Sequence, residues 1–227
     1  MTKNRNVMLA ALTLVGLAAL VLAGGLAASN MGFKLNLPLK AQGAGSASGS
    51  NYVGLPYNQQ VGLVTARDWF EDIAATGPVQ VINQHDPATD SFQFYTFGGG
   101  SIPPNGFNLV PGKSYIVKVG ANQNYIVVGS HNPGLTLTLK AQGAGSASGT
   151  NYYSHPYHGI AANARELFEE IGADKVQVIN RHVQATDAFD FYTFGGGNLP
   201  PNGWNLQPGV GLVIKVGADV SFKPAHY

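Results

Sequence analysis

The chain has 227 residues, of which 44% are hydrophobic and only 11% charged, against about a quarter charged in an ordinary soluble domain. That composition, with its 30 glycines and many aromatics, excludes a disordered chain, and a net charge of +1 to which Lys3 and Arg5 contribute leaves no basic footprint for nucleic acid. There is no cysteine, so disulfides, thiolate nucleophiles and cysteine-based metal sites are excluded as well.

Residues 1–29 have a composition of their own. Lys3 and Arg5 precede an almost purely apolar run from Val7 to Ala28, and small residues cluster at Gly24, Gly25, Ala27, Ala28 and Ser29. This is the layout of a secretory signal, with cleavage after Ala27 or Ser29. The competing reading is an uncleaved anchor, because the apolar run would reach about 33 Å as a helix and could cross a bilayer. Either way the positive-inside rule sends the rest of the chain out of the cytoplasm. The expected location is therefore secreted or outer cell surface, with membrane contact only through residues 7–28 if they are retained.

The remainder is one module written twice. "LKAQGAGSASG" recurs letter for letter at 39–49 and 139–149. "ARDWFEDI" (66–73) returns as "ARELFEEI" (164–171), "VQVIN" (79–83) at 176–180, and "FYTFGGG" (94–100) at 191–197. The modules run over 33–130 and 134–227, offset by 100 residues at the front and 97 after the helix.

In chain order, "FKLNLPLK" and "LTLTLK" alternate apolar and polar residues, so Phe33, Leu35, Leu37 and Leu39 share one strand face. The Gly-Ala-Ser tract follows. Two readings stay open for it: a surface loop, or an extended packed segment whose glycine side lets another backbone approach. "NYVGLPY" and "NYYSHPY" are short strands. One helix comes next, capped by Thr65 or Asn163, with an acidic residue three positions on as in a capping box. Ala66, Trp69, Phe70 and Ile73 form its apolar stripe, matched by Ala164, Leu167, Phe168 and Ile171. "PVQVINQH" and "SFQFYTF" predict a hairpin turning at Asp86–Asp90. "SYIVKV" and "NYIVVG" close the first module, and "GLVIKV" with a weaker "VSFKPA" the second. The expected fold is mainly β: two tandem small antiparallel sandwich- or barrel-like modules, each with one short α-helix.

The order N-Y-V-G-L-P-Y, capped helix, V-I-N strand, aromatic hairpin, then F-N-L-x-P-G-x-x-Y-x-V-x-V resembles a tandem module of secreted and surface bacterial proteins. Its usual signature is N-x-[IV]-S-L-P, followed some fifty residues on by L-x-P-G-x-G-Y-x-V. The chain departs from it at Gly54, where Ser is usual, and at "PGKSY", which lacks the second Gly. The second copy has Ser154 and keeps that Gly in "PGVGL", but has His155 for Leu and lacks the Tyr. The resemblance implies export and a surface setting, and no catalytic residues.

Tests for chemistry return little. Gly43-x-Gly45-x-x is followed by Ser48 and then a strand, not a helix, so no dinucleotide or phosphate fingerprint is present. His155 and His158 have no identifiable third ligand, and His85 and His182 read as solvated or hydrogen-bonding turn residues at strand ends. Asp86 and Asp90, or Asp187 and Asp190, offer turn oxygens to calcium, but Val183 replaces Asp86 in the second copy. No G-x-S-x-G elbow occurs. No catalytic, metal or cofactor residue is therefore expected. The aromatics remain. Alternation puts Phe94 and Thr96 on one strand face and Tyr95 and Phe97 on the other, one set being core and the other a candidate platform. The candidate interaction residues are Phe33, Leu35, Leu37, Tyr95, Phe97, Tyr192, Phe194 and Trp204. The expected function is a non-catalytic structural or interaction protein whose partner is itself, in a filament or layer, or a cell-surface polymer; the alternative is carbohydrate binding by exposed aromatics.

Overall fold

The computed structural model describes residues 32–55, 58–59, 62–100, 104–197 and 201–226; the signal or anchor expected over residues 1–29 lies outside them. The architecture is mainly β, with two helices and four antiparallel sheets in two sandwich-like groups. Among the described residues no helix is long and apolar enough to cross a membrane.

Module 1 contains β1 (Phe33–Leu39), β2 (Ser50–Gly54), β3 (Asn58–Gln59), α1 (Ala66–Ala74), β4 (Val79–Asp86), β5 (Ser91–Thr96), β6 (Gly99–Gly100), β7 (Ser114–Val119) and β8 (Gln123–Ser130). Its larger sheet has the order β2-β7-β4-β5-β6 and its smaller sheet β1-β8-β3. Module 2 contains β9 (Leu137–Leu139), β10 (Thr150–Ser154), α2 (Ala164–Ile171), β11 (Val176–Val183), β12 (Ala188–Thr193), β13 (Gly196–Gly197), β14 (Gly211–Val216) and β15 (Val220–Phe222). Its sheets are β10-β14-β11-β12-β13 and β15-β9. Even the irregularities are duplicated. The register of β4 on β7 shifts between Val79 and Val81, and that of β11 on β14 between Val176 and Val178.

Each helix forms where its caps and stripe direct. The Thr65 side chain accepts from the Asp68 amide while the Asp68 carboxylate accepts from the Thr65 amide at 2.8 Å, a reciprocal cap. Asn163 accepts from the Glu166 amide at 3.0 Å. The stripe residues Trp69 and Ile73, or Leu167 and Phe168, are essentially fully buried; each such side chain contributes about 1.5–3 kcal/mol by leaving water. Trp69 meets the Tyr115 ring edge-on at 5.4 Å, so the helix lies against the inner face of the larger sheet. Two separate cores result, one per module.

The alternation of β1 is as expected: Leu37 and Leu39 are buried and Lys34, Asn36 and Pro38 exposed. Within β5 the expected parity holds, with Phe92 and Phe94 on one face and Tyr95 on the other, but Phe97 does not share the face of Tyr95 as expected, because the strand ends at Thr96. Tyr95 stands opposite Ile82 and is buried with it. Phe92 and Phe94 lie on the outer face and are about half exposed. Phe97 leaves the strand into a turn.

The second copy carries His155 where the first has Leu55, and both side chains are buried. Desolvation pushes the His155 imidazole down to about 4, although the Ala161 carbonyl opposes the shift. In the unfolded chain an imidazole takes its proton near pH 6.5. Between these values the unfolded state binds more protons, so stability falls as pH is lowered through this window. The contribution is on the order of 2–3 kcal/mol. His155→Leu, which copies the first module, is expected to flatten the decline of Tm between pH 6.5 and pH 4. Calorimetry across that range checks this; an unchanged slope would contradict it.

Candidate functional site

The contacts between the two modules are reciprocal, Val53 bridging Val210 as Tyr153 bridges Lys113, which is the pattern of an approximate two-fold axis, and the residues with the most specific geometry lie where the modules meet. The outer faces of the two larger sheets pack on each other through β2, β7, β10 and β14. Ile116 and Val213, at equivalent positions on those faces, are buried yet belong to neither module's core. The end of β2 continues into the other module: the Gly54 amide donates to the Gly209 carbonyl at 2.8 Å, and the Ser154 amide to the Gly112 carbonyl at 2.9 Å.

The repeated tract is the clasp of this junction. It is neither a free surface loop nor an extended strand. Gly43, Gly45 and Gly49 all have positive φ, a conformation side chains disfavour, and they fold the tract back on itself. The Gly43 amide donates to the Ser46 carbonyl at 2.8 Å and the Gly49 amide to the buried Ser46 hydroxyl at 2.9 Å. Asn51 then staples the loop to its own module. Its carboxamide accepts from the Lys40 amide at 2.7 Å and donates to the carbonyls of Lys40, Gly49 and Val117, each at 3.0 Å. Asn151 repeats the arrangement with Lys140, Gly149 and Ile214.

So shaped, each tract reaches the hairpin turn of the opposite module. The Ala47 amide donates to the Gln184 carbonyl and the Ala147 amide to the Pro87 carbonyl, both at 2.8 Å. Ser148 donates to the Asp90 carboxylate at 2.6 Å, and Ser48 to Asp187. Asp90 and Asp187 are the two non-glycine residues with positive φ among the described residues. Their acceptor bonds from Ser148 and Ser48, and then from His85 and His182, hold both carboxyls below the usual range.

His85 and His182 bond the turn aspartates Asp90 and Asp187, at 2.9 and 2.8 Å, but are not solvated. Their side chains are only 3% exposed, and each imidazole stacks on a tyrosine of the other module. His85 lies 4.7 Å from Tyr152 and His182 4.6 Å from Tyr52, measured between ring centroids. Tyr52 and Tyr152 face each other at 6.2 Å, and Phe92 and Phe189 close the ends edge-on. The ladder Phe92–His85–Tyr152–Tyr52–His182–Phe189 thus crosses the junction. The Ser, Asp and His side chains gathered at the junction do not make a hydrolytic relay. The carboxylate sits between the hydroxyl and the imidazole, so the imidazole does not take the serine proton as nucleophilic catalysis requires.

Two clefts flank the junction, of about 350 and 330 Å³, at the small end of ligand pockets. The first lies between β1 and the 204–210 segment. There Arg181 stacks over Trp204 at 5.0 Å and pairs with Asp190 at 2.6 Å. The second is its symmetry mate between β9 and the 110–113 segment. It holds Lys113, whose ammonium is pushed down to about 8 by desolvation, with Asp86 opposing. In the first cleft Val210 and Val183 replace that pair.

The candidate residues divide accordingly. Tyr95, Tyr192 and Trp204 are core residues at 4–5% exposure, so they present no platform. Leu37 is buried, and Leu35 and Leu37 pack against Gly209 of the other module. Phe33 stacks on Tyr157 of module 2 at 4.2 Å, so the face of β1 is used between modules. Phe97 and Phe194 are the surface members, 91% and 78% exposed at their hairpin turns. Of the histidine pair, His155 is buried and His158 packs edge-on to Phe33 and His131. No cluster of three or more metal-ligating side chains occurs among the described residues. The residues that sequence reasoning missed are His85, His182, Tyr52, Tyr152 and the tract serines. The signal for them was the letter-for-letter identity of the tract.

No family model matches the chain, and neither a curated protein nor a solved structure shows a similarity to it.

Removing a buried carboxamide that satisfies three carbonyls and an amide costs about 1–3 kcal/mol for the groups left unpaired. Asn51→Ala is expected to cost more than Asn151→Ala, because only Asn51 also accepts from the other module, through Gln184 Nε2 at 2.7 Å. Urea denaturation of both variants checks the order; equal losses below about 0.5 kcal/mol would contradict it.

Proposed function

We propose that this chain is an exported, non-catalytic structural or interaction protein of the bacterial cell surface or extracellular space, built to assemble. The observation that carries the proposal is the junction itself. The Ser48, Ser148, Asp90, Asp187, His85 and His182 side chains are engaged in joining two modules back to back. The basic, apolar and small-residue succession of residues 1–29 supports export. The paired modules make a stiff unit, and exposed Phe97 and Phe194 offer apolar contacts to a neighbour. Of the aromatics named for the carbohydrate-binding alternative, Tyr95, Tyr192 and Trp204 are buried in the cores, which leaves Phe97 and Phe194 at the surface.

Fractionation of the native cells, with mass spectrometry of the mature N-terminus and negative-stain microscopy, tests this. The expected result is a chain beginning at Ala28 or Asn30 in the extracellular or outer-surface fraction, present as fibres or layers. An intact chain from Met1 in the cytoplasm would overturn export, and dispersed single particles would overturn assembly.

A further inference from the structure

The two-fold axis passes close to four small residues. Within module 1, Gly54 of β2 stands opposite Ser114 of β7; within module 2, Ser154 of β10 stands opposite Gly211 of β14. Across the junction each meets its own counterpart. A Cβ on Gly54 would lie 2.0 Å from Ser154 Oγ and 2.6 Å from Ser154 Cβ, and one on Gly211 would lie 2.7 Å from Ser114 Cβ. There is room for one side chain at each position, and none for two. The serines are held in place: Ser154 donates to the Leu55 carbonyl at 3.2 Å and Ser114 to the Leu212 carbonyl at 3.5 Å, each across the junction.

The two copies therefore carry opposite choices. Two first modules meeting in this geometry would set Ser114 against Ser114 and leave a gap between glycines. Two second modules would set Ser154 against Ser154. Only a first module against a second places glycine against serine at both positions. Such an arrangement selects a partner by exclusion as well as by fit.

We propose that the Gly54/Ser154 and Ser114/Gly211 pairs are a pairing code by which this chain recruits a second copy of itself, the first module of one chain closing on the second module of the next. The proposal deepens the assembly reading above and rests on it for its setting. The segment between β8 and β9 is residues 131–136, a short turn in which the Leu135 amide bonds the Asn132 carbonyl at 3.2 Å. Opening this turn frees both faces without unfolding either core. The freed faces accept each other but not themselves. Exchange then gives a closed swapped dimer, or an open head-to-tail chain if the rotation does not close. A short tether favours closure within the chain with an effective concentration on the order of millimolar, so exchange is expected when chains fold at comparable concentration.

The chain has no native cysteine, and Val53 and Val210 form an antiparallel bridge across the junction. The full chain carrying V53C/V210C is unfolded in urea, refolded at micromolar or about millimolar concentration, oxidised, and run on a non-reducing gel. The expected result is monomer at low concentration and a ladder of covalent dimers and higher species at high concentration. Monomer alone at both concentrations overturns the proposal. Gly54→Ser in this background is expected to lower bond formation at least about tenfold, and Ser154→Gly added to it to restore the bond. A Gly54→Ser chain that closes as well as its parent, or one that Ser154→Gly does not rescue, overturns the code. The unsubstituted chain refolded in parallel and sized by light scattering supplies the same answer without cysteines. Fibres in the native fraction with no ladder would leave the surface function standing and overturn this one; a ladder from a chain found in the cytoplasm would do the reverse.

Discussion

The structure depends on one close approach. Two β-sheets meet back to back on a two-fold axis where there is space for one Cβ at each of two positions, and glycine faces serine at both. The strand ends can then exchange backbone hydrogen bonds, Gly54 to Gly209 and Ser154 to Gly112. With the sheets at that separation, the tyrosines of one reach the histidines of the other. The tracts land on the opposite hairpin turns. The clefts are the space left on either side. A side chain added at the axis would push all of these apart together, because packed faces do not yield by small amounts.

The symmetry also explains why a glycine-rich tract is copied without change. Its outer residues contact the other module, and by symmetry both tracts make the same contact. Ala47 and Ala147 donate to carbonyls at equivalent turn positions, and Ser48 and Ser148 to equivalent aspartates. The copies differ where the contact tolerates it. Asn122 ties the first tract through the Ala41 amide and Asp219 the second through that of Ala141. Gln184, at the position of Pro87, adds a bond to Asn51 that the other half lacks. Lys113 in one cleft corresponds to Val210 in the other, and Asp86, whose charge opposes the desolvation of Lys113, corresponds to Val183.

Local order was legible in the sequence because local chemistry writes it. The capped helices, the hairpin at Asp86–Asp90 and the alternating face of β1 follow from residues near one another in the chain. The tract was not legible, because its glycines encode turns through positive φ and its partners lie in a different module, as Gln184 does for Ala47. The aromatic hairpin was half legible. Alternation separated Phe94 from Tyr95, but it carried Phe97 onto the face of Tyr95, whereas the burial of Tyr95 depends on Ile82 and the helix beyond, and the exposure of Phe97 on a turn. His85 and His182 read as solvated or hydrogen-bonding turn residues because each ends a strand before a turn, and each does bond its turn aspartate. The rings that bury them come from the opposite module. The misses at the tract and at these histidines are inter-module contacts, invisible to a reading that treats the copies separately.

Hydrogen exchange at the Ala47 and Ala147 amides tests the account most directly, since each donates only across the junction, to Gln184 and Pro87. If the tracts clasp the modules together, both amides exchange at rates comparable to those of β7 and β14. Exchange at the rate of an unstructured loop, with the strands still protected, would contradict it.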